Sequence, residues 1–481
     1  MRLRRVVVLL VLAGLTAGCG GLLAATWDRG GSEGTAPART VRHVKKHRKH
    51  VKRHHARRLR RVQASISVVD GDTRTPIRGA VVRTGRRRDV TNWGGRSVLR
   101  VRSSRPFRVT ASARGYATRT ERKTFHRERH WRTVFLYRPE LQWPIYGATA
   151  HRTQFQRHIR LRPPFRKVWS RGMGGLIEFP AVVYEGTAYV GNSSGTVSAV
   201  SVGSGDRLWR HKLKTLMASS PAVLGTRLVI HDMSGRVWVL RRSDGGILHH
   251  YFIGSPIESS PVIVNGIDYF GAWNGEIYAL DLRRGRIRWT YHSGYKITSS
   301  AAVAGGTVYI GDYGGRLLAL NARSGRARWS GSVNGRIYGT QAVAGGRVFV
   351  PSSSGNSLTA FSTGGRELWS RGLGAYVYSS PAVWRDRVYV GSYTGLLYCL
   401  SARSGATLWA RSAGGRISGA AVVVDGVVYA GTKGQIIGAS ARSGRLLFTF
   451  PHGDYVPVSG NGGRLLFHGY SRLYALEPRR R

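Results

Sequence analysis

Few residues of this chain could carry out chemistry on their own. The sequence contains no G-x-S-x-G, H-E-x-x-H, P-loop or C-x-x-C motif, which are the local patterns of hydrolases, zinc proteases, nucleotide sites and redox sites. Histidines are scattered, and Asp232 and Asp312 share one repeat phase but fall in different repeats. We therefore predict no catalytic residue and no metal site, and we expect a protein that is not an enzyme.

A second group of residues could bind a partner instead. These polar and aromatic residues differ from repeat to repeat while their surroundings stay regular, which is typical of binding loops on a rigid frame. Ordinary variation of surface loops is the alternative interpretation. The candidate binding residues are Glu178, Glu258, Lys296, Arg336, Tyr338, Tyr376, Tyr378, Arg416, Asp454 and Tyr455.

The frame that must position them is a repeat of about 40 residues, a period found in propellers. Large rings recur at one phase, with His249 in one slot and a one-residue slip before the last ring. We interpret these rings as structural, packing between neighbouring repeats and each burying roughly 150–250 Å². The repeated rings are Trp169, Trp209, Trp289, Trp329, Trp369, Trp409 and Phe448.

Each repeat predicts four short strands. In residues 299–338 the runs AAV, TVYIG, RLLALN and RARWS alternate with Gly-rich turns, and no helical period appears. Residues 166–171 look like the fourth strand of a blade whose first three strands do not precede it. Residues 463–476 look like strands of a blade whose fourth strand does not follow them. Joined, they would close the ring and remove its exposed edges. The sequence therefore predicts an all-β fold, an eight-bladed β-propeller over 165–481, with seven blades as the alternative count.

Three segments carry a family resemblance. ALDLRRGRIRW (279–289), ALNARSGRARW (319–329) and AVSVGSGDRLW (199–209) resemble the A-x-D-x-x-T-G-x-x-x-W repeat of pyrroloquinoline-quinone (PQQ)-like propellers. SSPAV (219–223 and 379–383) and VYVG (388–391) are similar to the same family. The family includes quinone-dependent alcohol and glucose dehydrogenases, and also the non-catalytic propeller lipoprotein of the outer-membrane assembly machine.

The resemblance raises the question of whether this chain has the residues that hold the cofactor in the family's dehydrogenases. The alcohol dehydrogenases of the family hold the quinone under a vicinal cysteine pair and hold calcium with Glu, Asn and Asp. This chain has only Cys19 and Cys399, and we can match no such acidic set. We therefore expect neither PQQ nor calcium as a cofactor. The expected function is a scaffold that binds protein or an envelope polymer, and the alternatives are a PQQ-dependent dehydrogenase or a polysaccharide-binding sensor.

The N-terminus predicts a membrane or export segment over residues 1–27. MRLRR precedes an uncharged apolar run from Val6 to Thr26, which is long enough to cross a bilayer and also fits a signal peptide. LTAGCGG around Cys19 looks like a lipobox, so that Cys19 is a candidate for lipidation. Signal anchor, lipoprotein and plain secretion remain open. Each of them places the bulk of the chain outside the cytoplasm, and the first two attach it to the cell membrane.

A basic region follows over residues 28–61. Within residues 39–61, 12 residues are Lys or Arg, five are His and none is acidic. Such a block repels itself and is predicted to be disordered. It would attract anionic headgroups or anionic wall polymers. A solvated spacer in an Arg-rich protein is the alternative.

Residues 62–138 predict a small transthyretin-like β-sandwich. Alternating segments such as ASISVVD and WRTVFLY read as strands, and DGDTRTPIRGAVV (70–82) and VTASARGY (109–116) resemble carboxypeptidase regulatory-like domains. Residues 139–164 are predicted as a linker, because prolines disfavour regular structure there. In that linker WPIYG (143–147) is similar to the leader that precedes PQQ-like propellers.

The charge of the chain is strongly positive. Lys and Arg number 76 against 23 acidic residues, which gives a formal net charge of +53. The turns between third and fourth strands are rich in arginine, so we predict an electropositive ring on one face of the propeller. Nucleic acid would bind such a face in vitro, but the expected location argues against that role in the cell. The arginines are Arg283, Arg284, Arg286, Arg323, Arg326, Arg403, Arg442 and Arg445.

Overall fold

The computed structural model describes residues 61–102, 106–124, 131–213 and 215–479. Across those ranges the chain is built from β-strands, and its only helical element is the 3-10 turn Pro139–Leu141. In the same ranges, none of the helical structure has the length and apolar character needed to span a bilayer. The predicted anchor, Cys19 and the basic block fall almost entirely outside the described residues.

Residues 61–136 form two sheets that face each other across a small core. In one sheet β1 pairs with β4 and, in parallel, with β7; in the other the order is β3-β2-β5-β6. Ala64, Ile66, Val82 and Val109 alternate along their strands and lie fully buried between the sheets. The strands are β1 (Arg61–Asp70), β2 (Val81–Thr84), β3 (Arg87–Val90), β4 (Arg96–Arg102), β5 (Phe107–Ser112), β6 (Arg119–Lys123) and β7 (Trp131–Leu136).

The rest of the described chain is a β-propeller. All but the last of its sheets are built on four consecutive antiparallel strands, and we refer to the sheets as blades in chain order. Short strands rich in Val, Ile and Tyr alternate with two-residue and four-residue turns, as the repeat pattern predicts. Blades 1 to 4 comprise β10 (Val182–Tyr184), β11 (Thr187–Gly191), β12 (Thr196–Ser201), β13 (Arg207–Lys212), β14 (Ala222–Leu224), β15 (Arg227–His231), β16 (Arg236–Arg241), β17 (Ile247–Phe252), β18 (Val262–Val264), β19 (Ile267–Gly271), β20 (Glu276–Asp281), β21 (Arg286–His292), β22 (Ala302–Ala304), β23 (Thr307–Gly311), β24 (Arg316–Asn321) and β25 (Ala327–Ser332).

The last blade joins the two ends of the propeller. Strand β9, at the start of the propeller, pairs antiparallel with β40, at its end, and Trp169 lies opposite Ala475. The first strands of blades 1 to 7 lie side by side in chain order, and that of blade 8 lies against that of blade 1. Phe448 of blade 7 packs against Phe467 of blade 8, so the blades form a ring. Blades 5 to 8 comprise β26 (Ala342–Ala344), β27 (Arg347–Ser352), β28 (Ser357–Ser362), β29 (Glu367–Gly372), β30 (Ala382–Trp384), β31 (Arg387–Gly391), β32 (Leu396–Ser401), β33 (Thr407–Ser412), β34 (Val422–Val424), β35 (Val427–Gly431), β36 (Ile436–Ser440), β37 (Leu446–Phe450), β38 (Val458–Gly460), β39 (Leu465–His468), β40 (Arg472–Pro478) and β9 (Phe165–Gly172).

The repeated tryptophans lie in the fourth strands and reach the neighbouring blade. The indole N–H of Trp289 donates to the Ala322 carbonyl of the next blade at 3.0 Å, and its ring lies against Gly325 of that blade. The indoles of Trp169, Trp209, Trp329 and Trp369 make the same bond. The Trp409 ring likewise lies against Gly444, and Phe448 packs edge-on against Phe165 and Phe467. These rings therefore join each blade to the next except at blade 2, whose slot holds His249 and where the Tyr251 ring lies against Gly285 of blade 3.

The segment predicted as a linker is part of the propeller centre. The N–H of Val223 donates to Pro144, that of Val303 to Ala150 and that of Val383 to Thr153, so residues 143–156 run along the first strands of successive blades. Strand β8 (Phe155–Gln156) adds in parallel to β34 of blade 7. We refer to residues 143–156 as the plug. The prolines do prevent long strands here, but the segment is not a spacer between two domains. Its backbone carbonyls accept hydrogen bonds from the N–H groups of the first strands of the blades.

The sandwich rests on one face of the propeller. Gln142 donates to the Asp72 carboxylate at 3.2 Å and accepts from the Glu185 N–H at 2.8 Å, which links a sandwich loop to the first turn of blade 1. Burial raises the pKa of Asp72 to about 7, and the nearby Asp70 adds to the increase. The sandwich thus contacts the turns of blades 1 and 8, and the opposite face of the propeller stays open.

Candidate functional site

The connections between blades and the turns between second and third strands share one face of the propeller. The N–H of Trp273 donates to Pro256 at 3.0 Å, and the N–H of Tyr393 donates to Tyr376 at 2.9 Å. The same bond recurs at the equivalent positions of other blades. We call this face around the axis the channel mouth. All ten residues predicted from sequence as binding residues lie on it.

Two predicted residues from non-adjacent blades meet at the mouth. The Tyr338 hydroxyl donates to Glu258 Oε1 at 2.7 Å, although the two connections are two blades apart. The Trp273 indole N–H donates to the other oxygen, Oε2, at 3.1 Å. Side chains from such distant blades can touch only near the axis, so these residues lie where the ring is narrowest.

Three carboxylates of the mouth are held in unfavourable surroundings. Burial raises the pKa of Glu178 to about 7, and the negative charges of Glu258 and Asp454 add to the increase. Burial also raises the pKa of Glu258, and that of Asp454 to about 6. Within the described part of the chain, Glu178 and Asp454 form no ion pair, although basic residues far outnumber acidic ones. The carboxyl groups of Glu178 and Asp454 are therefore partly buried at the mouth without a cation at ion-pair distance among the described residues.

Tyrosines line the mouth on the side of blades 5 and 6. The Tyr338 and Tyr378 rings meet edge-on with centroids 5.2 Å apart, and Tyr378 lies 5.1 Å from Tyr393. Tyr376 contacts both Tyr378 and Tyr393, at 6.0 and 6.1 Å, and remains 49% exposed. Burial raises the pKa of Tyr455 to about 12, with a contribution from the neighbouring Asp454. The tyrosine cluster and the carboxylates are therefore adjacent.

Cations of the mouth stack on its aromatic rings. The Lys296 ammonium lies 3.2 Å from the centroid of the Trp273 ring and 5.2 Å from that of Tyr313. Arg336 lies 5.7 Å from the Tyr313 ring, and Arg416 lies 5.6 Å from the Tyr393 ring. Burial lowers the pKa of Lys296, partly against the attraction of Glu258. Aromatic and cationic side chains thus alternate from blade 3 to blade 7.

Sequence reasoning missed three aromatic residues of this arrangement. Trp273, Tyr313 and Tyr393 lie in the turns between second and third strands, each in the second position after the β-strand. They recur at multiples of the repeat period, and that signal was sufficient to find them. The candidates predicted from the sequence all lie in the connections between blades, and these turns share their face.

A floor of hydrogen-bonded groups closes the channel beneath the mouth. Arg152 of the plug is fully buried, and its guanidinium donates to the carbonyls of Ser260, Pro261 and Ala301, each at 2.9 Å. Above it, hydroxyls bridge adjacent blades, as where the Ser260 N–H donates to Ser300 Oγ at 2.8 Å. Because these bonds join the plug to the blades and neighbouring blades to one another, they stiffen the frame beneath the mouth.

A buried His–Asp pair is structural. His231 Nε2 lies 2.9 Å from Asp268 Oδ2, and Nδ1 lies 2.6 Å from the Ser259 carbonyl oxygen. Both side chains are fully buried, so no substrate reaches them. The ring bonds the Ser259 carbonyl and not its hydroxyl, which differs from the arrangement that activates a serine nucleophile. The pair therefore holds blades 2 and 3 together.

The donor set at the mouth does not fit PQQ with calcium. Both oxygens of Glu258 already accept hydrogen bonds from Tyr338 and Trp273. Cys399 lies buried in β32 opposite Trp409, and burial raises the pKa of its thiol to about 11. Across residues 61–102, 106–124, 131–213 and 215–479, no three His, Cys, Asp or Glu residues group closely enough to hold a metal ion. Within those ranges the mouth holds no cysteine pair, and its carboxylates do not form a group of three.

Comparison with known proteins gives one family and several relatives. The model of the family described as outer membrane protein assembly factor BamB matches residues 166–293, 273–374 and 354–479. A stretch of 88 residues is 33% identical to outer membrane protein assembly factor BamB of Bordetella pertussis, covering 18% of this chain. The chain spans only 21% of the length of that curated relative. The matched regions exclude the sandwich, whose resemblance to carboxypeptidase regulatory-like domains remains a prediction.

Solved structures share the fold at low identity. BamB from Moraxella catarrhalis superposes with a TM-score of 0.57 at 18% identity, covering 66% of this chain and 99% of that one. Quinohemoprotein alcohol dehydrogenase from Comamonas testosteroni gives 0.61 at 14% identity, covering 71% of this chain and 81% of that one. These likenesses show the fold alone. The family match extends over most of the propeller, and the chain therefore belongs to the family described as outer membrane protein assembly factor BamB.

Proposed function

We propose that this chain is an eight-bladed β-propeller that acts as a non-enzymatic scaffold, anchored to the cell membrane with its bulk outside the cytoplasm. Its channel mouth would hold a protein partner. The observation that carries the proposal is the mouth itself, where aromatic rings, stacked cations and unpaired carboxylates converge on a rigid frame. The family supports it, because its description names an assembly factor.

The unpaired carboxylates favour a binding role over a purely structural one. Keeping Glu178 ionised at neutral pH lowers the stability of the fold, because its pKa is raised to about 7. Destabilising polar groups that cluster at one site on a stable frame are typical of functional sites. A partner that brings Lys or Arg to the mouth would neutralise Glu178 and Asp454 and stack on the tyrosines. We therefore expect a protein segment with exposed basic side chains.

The tyrosines would supply most of the contact area. Tyr376 and Tyr470 are 49% and 60% exposed, and aromatic residues with partly free rings dominate binding energy in protein interfaces. Tyrosine loses little side-chain entropy when it binds, because it has few rotatable bonds. An envelope polymer, or a polysaccharide bound by a sensor, is the alternative ligand for the same rings.

Affinity capture after cross-linking in intact cells tests the proposal. The full chain should retain a protein partner that the triple variant Tyr338→Ala, Tyr376→Ala, Tyr378→Ala loses. The single variant Tyr376→Ala should weaken capture without changing the melting temperature, because its ring is half exposed. An unchanged partner in the triple variant would show that the mouth is not the binding site.

A matched variant controls for the loss of aromatic surface. Trp93 and Trp131 are exposed by 77% and 40% and lie in the sandwich, so their replacement by Ala should leave capture intact. A glycan array probed with the full chain distinguishes a polysaccharide from a protein. Dye-linked oxidation of alcohols or sugars by purified protein with added PQQ and calcium distinguishes a dehydrogenase, and turnover there would refute the scaffold proposal.

A further inference from the structure

A cavity of about 250 Å³ lies between blades 5 and 6, on the face opposite the channel mouth. Its walls come from the turns that precede β27 and β31 and from the turn that follows β32. The Ala402 N–H donates to the Asp386 carbonyl at 2.7 Å, which holds the two turns of blade 6 together. We call this cavity the notch. Sites for drug-sized ligands measure roughly 300–1,000 Å³, so the notch suits a small ion or the end group of a larger molecule.

Three arginines line the notch, namely Arg347, Arg385 and Arg403. None of them forms an ion pair with a carboxylate of the described residues. Asp386 also lines the notch, but its side chain is 83% exposed and its ion pair is with Arg387, at 3.9 Å. Three positive charges and one negative charge leave the lining with an excess of two positive charges.

Arg347 does not make the contact that arginine makes at the same position of other blades. The Arg387 guanidinium donates to the Arg442 carbonyl of the next blade at 2.8 Å, and Arg227 binds blade 3 in the same way. Arg347 instead donates to the Gly345 carbonyl of its own turn at 3.0 Å. That bond uses one of the five N–H groups of the guanidinium, and the Nε of Arg347 is buried without an acceptor. An unpaired buried donor lowers stability, so this side chain is not placed to hold the blades together.

Arg385 lies in a backbone conformation that favours glycine. Its φ is +57°, in the left-handed region, and its guanidinium lies 4.7 Å from the centroid of the neighbouring Trp384 ring. Residues other than glycine are strained in this region, and such strain is concentrated at ligand-binding and active sites. Three other blades have glycine at the equivalent position, namely Gly225, Gly305 and Gly345. The arginine at this position therefore costs stability that glycine would not.

The set of three arginines is not a general feature of the repeat. Between blades 1 and 2 the corresponding cavity contains Arg242, which pairs with Glu185 at 2.7 Å. The positions between blades 2 and 3 and between blades 6 and 7 carry two arginines each, of which Arg227 and Arg387 are bound to the next blade. A uniform bias of the sequence towards arginine does not predict this distribution. The residues equivalent to the three arginines are Thr187, Gly225 and Ser243 between blades 1 and 2, and Thr307, Gly345 and Thr363 between blades 4 and 5.

We infer that the notch binds a phosphate group, either inorganic phosphate or the terminal phosphate of a monoester. A phosphate monoester carries about −1.5 to −2 charges at neutral pH, which matches the excess of positive charge in the lining. Arginine donates two parallel hydrogen bonds to phosphate oxygens, so three arginines can bind several of these oxygens at once. A carboxylate has a single charge and two oxygens, and it would leave part of this donor set unpaired. The inference does not depend on what the mouth binds.

Hydrogen exchange of the full chain in the presence of inorganic phosphate tests the site. Mass spectrometry follows the peptides that contain residues 384–387 or residues 402–405, at increasing phosphate concentration and constant ionic strength. Because these peptides report the notch alone, anions bound by other basic residues do not contribute to the signal. We expect exchange in both peptides to slow and to reach a plateau. Arg347→Thr lies outside both peptides and should raise the phosphate concentration at half effect at least about tenfold, the value of a hydrogen bond between charged groups.

A triple variant and a matched control separate the notch from the net charge of the chain. The triple variant should lose the response, and it should still fold because each new residue occupies the same position in another blade. Its substitutions are Arg347→Thr, Arg385→Gly and Arg403→Ser. The control makes the same replacements at exposed arginines outside the notch and should keep the response. Its substitutions are Arg371→Thr, Arg114→Gly and Arg210→Ser.

Glycerol 3-phosphate and acetate identify the ligand. Slowing at a lower concentration of glycerol 3-phosphate than of inorganic phosphate would assign the notch to a monoester, and the opposite order or no difference would assign it to free phosphate. The inference would be overturned if neither phosphate compound slowed exchange in the notch peptides, if acetate slowed it equally, or if the triple variant responded like the native chain. None of these results affects the mouth, whose partner is tested separately by capture in cells.

Discussion

The substitution Gly325→Ala probes the contact that joins one blade to the next. A Cβ atom on Gly325 would lie 2.7 Å from Cδ2 and 2.8 Å from Cε3 of the Trp289 ring, and the residue has a φ of +74°. The left-handed backbone alone disfavours alanine by roughly 1–2 kcal/mol. Forcing the ring away adds roughly 1–3 kcal/mol of overpacking. We therefore expect the free energy of unfolding to fall by about 2–5 kcal/mol.

The substitution Gly174→Ala separates the two contributions. Gly174 has a φ of +78°, but nothing lies within 4 Å of its Cβ position, so only the backbone contribution of about 1–2 kcal/mol applies. Urea unfolding of both variants, followed by circular dichroism, measures the difference. In a Trp289→Leu background the effect of Gly325→Ala should fall to that of Gly174→Ala. Equal destabilisation by the two glycine substitutions in the native background would refute the role assigned to the ring.

Three further predictions concern single residues. Burial lowers the pKa of His468 to about 4, and its Nε2 accepts the Ala181 N–H. Stability should therefore fall by up to about 3 kcal/mol as pH drops from about 6.5 towards 4, and His468→Gln should flatten this dependence in thermal melts. Arg152→Met leaves buried carbonyls without donors and should lower the free energy of unfolding by about 3–5 kcal/mol in urea melts. Glu178→Gln should raise stability at pH 8 by up to about 3 kcal/mol, and not at pH 4, while weakening capture of the partner.

The β-propeller could be predicted because its repeat is a local pattern. Each Trp–Gly pair, such as Trp289 and Gly325, has a fixed spacing, and alternating apolar residues bounded by Gly-rich turns leave few choices for the strands. The alternating apolar pattern does not predict strands β3 and β6 of the sandwich, and the reason is physical. They are edge strands with exposed charges, RRDV and RTERK, which protect the sheet edge and hide the strand pattern.

Contacts between distant parts of the chain could not be read from the sequence. The face that carries the candidate residues follows from strand order, but the bond between Tyr338 and Glu258 depends on the width of the ring at the axis. Arg152 lies in a segment whose prolines suggested a spacer, and nothing local indicates that its guanidinium bonds three carbonyls of other blades. Hydrogen bonds between a side chain and backbone carbonyls that are far apart in the sequence can be identified only once the ring of blades is assembled.

The central claim is that the channel mouth binds a protein. Site-specific photo-cross-linking in intact cells tests it most directly, with the photoreactive residue at Tyr376 on the mouth or at the exposed Trp93 of the sandwich. We predict one protein adduct from position 376 that is absent from position 93 and that weakens in the Glu178→Gln variant. Adducts of the same protein from both positions, or from position 93 alone, would contradict the claim.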